Sequence, residues 1–516
     1  MNFRCFAVLI SVLQLWLTTV TGHGLHLPLY RRGGRFLRRQ AANLTDLDDI
    51  MHQVEARYSL THRQIKGNHL VRQWRVKEQE AEDENDENLI DVAGYDNRWF
   101  TQLEIGEPRQ KIEVEIDMLN PDFYTIATTS GMGSRYDPTA STTHVPNDDT
   151  VHSICKSPSD IFHFPTHDSS SSFSSLRLTF PICTPSKASR QSLSRSGTVL
   201  GLSPPASISP SLSLSLSRLT SPPLLSQLHN AGLITEQIFS ITLLDAESGI
   251  LSLGGTIARE VEMTKLRSTI ELEHFGDPSA SPQWVAEQVD GQMEQRMPSE
   301  MKWDEHFKWM DVRGAKGWWT GLMAGVWVNG VKILKFQPIL LDINSPFILA
   351  PALATTHLYS AISGSHPLTR NQTQLPHHGA ANFYTYPCLN PPVIVLELGG
   401  WMFPLPTGHG VLTNWDAMHG PDGGGFSLGK KDTHSHHEED DDGDDDDNRD
   451  GGSGFCVGNI VGRYVDPLSR MEKEQKKQFS DSGPGLADTW VLGEPVFRGL
   501  GVVFDLERDR VGFRTY

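Results

Sequence analysis

KIEVEIDMLNPDFY, residues 111–124, alternates apolar and charged side chains and then delivers one acid into a turn. The period of two puts Ile112, Val114 and Ile116 on one face of a strand and Glu113, Glu115 and Asp117 on the other. Asn120-Pro121-Asp122 ends the strand, because proline disfavours a helical conformation before it and has no N–H to give to a ladder. A second stretch, QPILLDINSPFILAP at 337–351, repeats the plan: an apolar strand, an Asp, one hydrophobe, then Asn and Pro close behind. Each acid stretch is followed, far downstream, by two hydrophobes and a glycine, VLG at 199–201 and VLG at 491–493. Two similar halves meeting face to face bring Asp117 and Asp342 together in a cleft.

The chain is long enough for two such halves with inserted material: 516 residues, 38% of them hydrophobic. Its first 22 residues read as a secretory signal, with Arg4 at the positive end, an apolar core over Phe6–Leu17 and small residues at Thr19–Gly22. That core is shorter than the run of about 20 apolar residues that crosses a bilayer. The expectation is a secreted, extracellular, monomeric protein with no membrane partner. Cys5 leaves with the signal, and Cys155, Cys183, Cys388 and Cys456 form an even set suited to disulfides. Local pairing joins Cys155 to Cys183 and Cys388 to Cys456; spacing leaves the two other pairings open. Asn43 and Asn371 stand in glycan acceptor motifs.

Half of the net charge of −18 is local. Residues 438–450 hold ten acids against one arginine, a contribution of −9. This block, inside an insertion spanning 432–454, reads as a solvated loop and argues against nucleic-acid binding. Residues 23–90 read as a pro-segment carrying paired basics (Arg31-Arg32 and Arg38-Arg39), or as an N-terminal extension. From Asn97 onward the pattern becomes short strands separated by turns. The division is a first half over 97–265 and a second over 266–516.

The residues carry a resemblance to a known family. From about Asn97 to Tyr516 the chain resembles the pepsin-like aspartic proteases (peptidase family A1), through FTQLEIGEPRQKIEVEID, YDPTASTT, GTVLGLS, LITEQIFSITLLDAESGILSLGGT, VWVNG, LLDINSPFILAP, LGGWMFPLP and WVLGEPVFRGLGVVFDLERDRVGF, in that order. The resemblance implies a mostly-β, bilobal fold with a cleft between the lobes, made as a zymogen. It further implies peptide-bond hydrolysis by an aspartate dyad, with a polypeptide substrate and neither metal nor organic cofactor. Asp117 and Asp342 fall on its catalytic positions. Two carboxyls sharing a cleft hold one proton between them: the ionised one activates water, the protonated one hydrogen-bonds the scissile carbonyl.

The surroundings depart from the family's Asp-Thr-Gly pattern. Met118 and Ile343 replace the threonines whose hydroxyls brace the two loops, and Leu119 and Asn344 replace the glycines. Asn344 tolerates the left-handed backbone a glycine allows better than Leu119 does. Ser345 keeps the following hydroxyl as a donor near the dyad, while Asn120 has lost it. The covering hairpin of the family lacks its tyrosine, with HFPTHDSSSSF at 163–173 as the stand-in and His167 near its tip. The alternative function is therefore a pseudo-protease that binds extended peptides in the cleft without cutting them.

Other patterns carry less. GFSLG at 425–429 fits a nucleophile elbow but has no strand before Ser427 and no helix after it. The overlapping GGFSLGKK has Lys431 where a phosphate loop needs Ser or Thr. His434, His436 and His437 beside the acid run read as a solvated tract.

Overall fold

The computed structural model describes residues 25–31, 51, 54, 98–126, 136–147, 155–165, 173–183, 197–204, 222–244, 248–255, 307–313, 317–367, 383–405, 411–414, 455–463 and 488–515. The protein is mostly β. Among the described residues the strands gather into sheets of fourteen, seven and four strands, and the helices are few and short: Leu224–Asn230, Ala352–Ser360 and Glu494–Phe497. The alternation read in the sequence becomes the strand Gln110–Asp117, with Ile112, Val114 and Ile116 wholly buried. Glu115 does not stay on a wet face. It is buried and takes a two-pronged bond from Arg98, at 2.9 and 2.7 Å, which compensates its charge.

Each acid stretch folds into the same unit. In the first, Gln110–Asp117 runs parallel to Thr198–Gly201, with Asp117 opposite Gly201; the return strand Phe123–Ile126 then pairs antiparallel to Thr198–Gly201 and parallel to Ile182–Cys183. In the second, Val331–Leu341 runs parallel to Trp490–Leu492, and the return strand Ile348–Pro351 pairs antiparallel to it and parallel to Ile460–Arg463. The chain thus crosses over its own glycine-ended strand twice, in the same sense, once in the fourteen-stranded sheet and once in the seven-stranded one.

The glycines are dictated by this crossing. A Cβ on Gly201 meets the backbone of Asn120 and Asp122, and one on Gly493 meets the carbonyls of Ser345 and Phe347. Backbone atoms of a paired loop cannot step aside, so Gly201→Ala is expected to destabilise by about 3 kcal/mol, the upper end for overpacking. Gly232→Ala serves as the comparison: its φ is +73° but nothing lies within 4 Å, so only the left-handed strain of about 1–2 kcal/mol applies. Urea unfolding of the two variants checks the order; equal losses contradict it.

The fourteen-stranded sheet draws from the whole chain. Leu25–Arg31 lies between Ser248–Leu253 and Trp99–Ile105, pairing antiparallel with both. Its Leu25, Leu27 and Leu29 are buried in the core. Ser248–Leu253 continues to Ile238–Leu243, which pairs with Leu500–Asp505 and so brings in the C-terminal hairpin closed by Arg510–Thr515. Arg31, the first of the paired basics, is locked inside. Its Nη1 donates to Glu494 Oε1 at 3.1 Å, and Nη2 lies 2.9 Å from Oε2 as an ion contact without hydrogen-bond alignment. Arg498 bonds the same carboxylate from the next helical turn. The remaining basics Arg32, Arg38 and Arg39, the stretch 1–22 expected to be a signal, Asn43, Asn371 and the acidic insertion lie outside the described residues.

Candidate active site

Asp117 closes its strand, and Asp342 directly follows Leu341. Both carboxylates are held alike: Leu119 N–H donates to Asp117 Oδ1 at 2.9 Å, and Asn344 N–H donates to Asp342 Oδ1 at 3.1 Å. The position two residues beyond each acid thus supplies its amide to the carboxylate without a glycine. Neither Leu119 nor Asn344 takes a positive φ. The conformational licence of glycine is not what this pair of turns uses. Asp117 is partly exposed and Asp342 fully buried.

The two loops touch each other across more than two hundred residues of sequence. Asn344 Nδ2 donates to the carbonyl of Ile116 at 2.5 Å, and Asn344 Oδ1 accepts from Trp99 N–H at 2.9 Å. In return, the N–H of Ile343 points at Met118 Sδ, 3.4 Å away. Residues on either side of Asp117 therefore contact residues next to Asp342. Trp319 adds a third tie: its Nε1 donates to Leu202 O at 2.7 Å, while Leu202 N–H bonds the carbonyl of Asp117 at 2.8 Å. The other expected support behaves differently. Ser345 is buried and its hydroxyl donates to Phe347 O at 2.8 Å, closing its own turn. Asn120 likewise closes a local turn, Oδ1 accepting from Asp122 N–H at 3.0 Å.

Asp122 sits on the return strand's threshold, five residues beyond Asp117. Burial pushes its carboxyl up to about 6 from an ordinary value of 3.8. The folded form therefore holds a proton that the unfolded chain has released, so stability is greatest below about 4 and falls as pH rises towards 6. The span corresponds to about 2–3 kcal/mol. Asp122→Asn is expected to flatten that part of a stability–pH curve and to raise stability at pH 7; urea midpoints at several pH values measure both.

An antiparallel hairpin of Ser159–Pro165 with Phe173–Thr179 stands where the sequence suggested a covering element. Midway along its first strand, Phe162 and His163 pair with Trp99–Ile105, the neighbour of the first acid strand. His163 is buried, with Nδ1 2.9 Å from Ser175 Oγ and Nε2 3.2 Å from Gly106 O; His167 lies outside the described residues. Cys388, directly after the strand Tyr384–Pro387, forms a disulfide with Cys456 of the neighbouring strand Phe455–Gly458. Cys183 is also disulfide-bonded, and its direct register partner is Cys155. Among the described residues no cluster of three or more His, Cys, Asp or Glu is arranged to hold a metal ion, and no helix is long and apolar enough to cross a membrane.

Two neighbouring acid loops with matching amide bonds bear comparison with known proteins. No protein-family model matches the chain. A curated relative is 25% identical over 201 residues. It is an aspartic protease of Phaffia rhodozyma. The match covers 38% of this chain and 34% of the relative, so the chain spans about a third of the relative's length.

Proposed function

We propose that the protein is a secreted aspartic endopeptidase of the pepsin-like, two-lobed type, with Asp117 and Asp342 as its catalytic pair. The observation that carries this reading is the reciprocal contact of the two acid loops, each presenting one carboxylate held by the amide two residues on. Duplicated crossing units and the aspartic protease relative support it. One carboxyl of the pair acts as general base on water while the other donates to the substrate carbonyl. Neither step calls for a metal or an organic cofactor.

A second reading rests on one specific observation: Asp342 has no exposed surface. A pseudo-protease that holds an extended peptide, without admitting water to both acids, fits that burial. One experiment separates the two. The full chain is incubated with a denatured protein at acid pH, with and without pepstatin, and a fluorescent peptide library is titrated in parallel. Pepstatin-sensitive cleavage upholds the enzyme. Saturable peptide binding with no cleavage upholds the binder, and the absence of both removes the two readings together.

A further inference from the structure

The family pattern joins its two acid loops through threonine hydroxyls, and this chain has Met118 and Ile343 in those places. We infer that Asn344 and Met118 are positioning residues that rebuild the tie from other chemistry, a carboxamide and a thioether, and keep the two acids in register. The inference rests on the peptidase reading for its catalytic meaning, but its structural content is independent of it.

Three bonds converge on Asn344. Its backbone N–H holds Asp342 Oδ1 at 3.1 Å, its Nδ2 reaches the carbonyl just before Asp117 at 2.5 Å, and its Oδ1 takes the N–H of Trp99 at 2.9 Å. Trp99 begins the strand next to the first acid strand, and its neighbour Phe100 is paired with Glu115. One side chain therefore fixes the second carboxylate relative to two strands of the first unit. Met118 answers from the opposite side, where its sulfur faces the N–H of the residue after Asp342. Both side chains are buried, Asn344 at 4% and Met118 at 0% exposure, so water does not compete for these partners. A carboxamide both donates and accepts, whereas a thioether sulfur is only a weak acceptor. Asn344 is the stronger member of the tie. Its residue type also explains why a glycine is dispensable there: the side chain provides the link, and the backbone needs no left-handed turn.

The test compares Asn344→Ala, Met118→Leu and the double change Ile343→Thr with Asn344→Gly, all in the full chain. Met118→Leu keeps the packed volume and removes the acceptor. The first readout is residue-resolved amide exchange. Asn344→Ala is expected to speed exchange at Trp99 about tenfold or more. It should also speed exchange at Leu119 and Leu202, which belong to the opposite loop and touch no atom that has been removed. Met118→Leu gives a smaller rise, centred on Ile343. The second readout is kinetic. Asn344→Ala lowers kcat about a hundredfold with KM little changed, and the double change, which supplies a hydroxyl and a glycine in the family's arrangement, restores part of the loss.

Unchanged exchange at Leu119 and Leu202 overturns the inference, since a side chain serving only its own turn leaves them alone. So does faster exchange with kcat intact. If the wild type neither cuts nor binds pepstatin, the peptidase reading fails separately. Exchange in the opposite loop then decides alone: a rise upholds the tie and no rise rejects it.

Discussion

Asp117→Asn and Asp342→Asn are each expected to lower pepstatin-sensitive cleavage about 10²- to 10⁴-fold, the range for loss of a general acid or base. The substitution is suited to the site because it keeps shape and Oδ1. The amide of Leu119 can still donate to residue 117, and that of Asn344 to residue 342, so the turns retain their closing bonds. What disappears is a proton that can be taken up or released. Thermal unfolding within a few degrees of wild type, alongside the lost activity, separates chemistry from folding. Asp122→Asn is the control, a nearby acid outside the pair, and retains cleavage. If either dyad variant cuts like wild type, the work is done elsewhere and the assignment falls.

Glu494→Ala is expected to cost about 3–5 kcal/mol, because it removes a buried carboxylate that two guanidinium groups share. Arg31 has a side-chain exposure of 0% and Arg498 one of 15%, and both are held by this one carboxylate. Arg31→Met is milder, since Glu494 keeps Arg498. Replacing both Arg31 and Glu494 by methionine recovers much of the loss, as apolar side chains of similar size suit a buried site better than a broken ion pair. Urea unfolding of the three variants provides the comparison. A loss under about 1 kcal/mol for Glu494→Ala is the value of a surface pair and contradicts the packing described.

The two acid strands were legible because their signal is local and doubled. Alternation gave the buried face of Ile112, Val114 and Ile116, the Asn-Pro and Asn-Ser-Pro breaks marked the turns, and the VLG echo at 199–201 and 491–493 announced a repeated unit whose partners proved to be those strands. The links between the loops were not legible. Met118 beside Ile343 and Asn344 beside Ile116 are contacts between residues far apart in sequence, and no local propensity encodes them. The alternation puts Glu115 on the face opposite the buried hydrophobes; its burial depends on Arg98, directly ahead of the adjoining strand Trp99–Ile105, a pairing no local alternation encodes. LHLPLYR at 25–31 carries a clear period of two, with leucines at every second place, and forms a strand within the stretch read as a pro-segment or N-terminal extension.

The fourteen-stranded sheet also bears on how the molecule is made. Leu25–Arg31 is made early, but its partner at 248–253 emerges much later, and Leu500–Asp505, which pairs with the next strand over, later still. A chain leaving the ribosome can pair this strand early only at its end, where Tyr30 and Arg31 meet Trp99–Ile105, while its longer edge waits for 248–253; loop closure over such separations is slow. Truncations ahead of residue 500 leave an open edge on Ile238–Leu243, the kind of surface that chaperones bind and that otherwise recruits other chains.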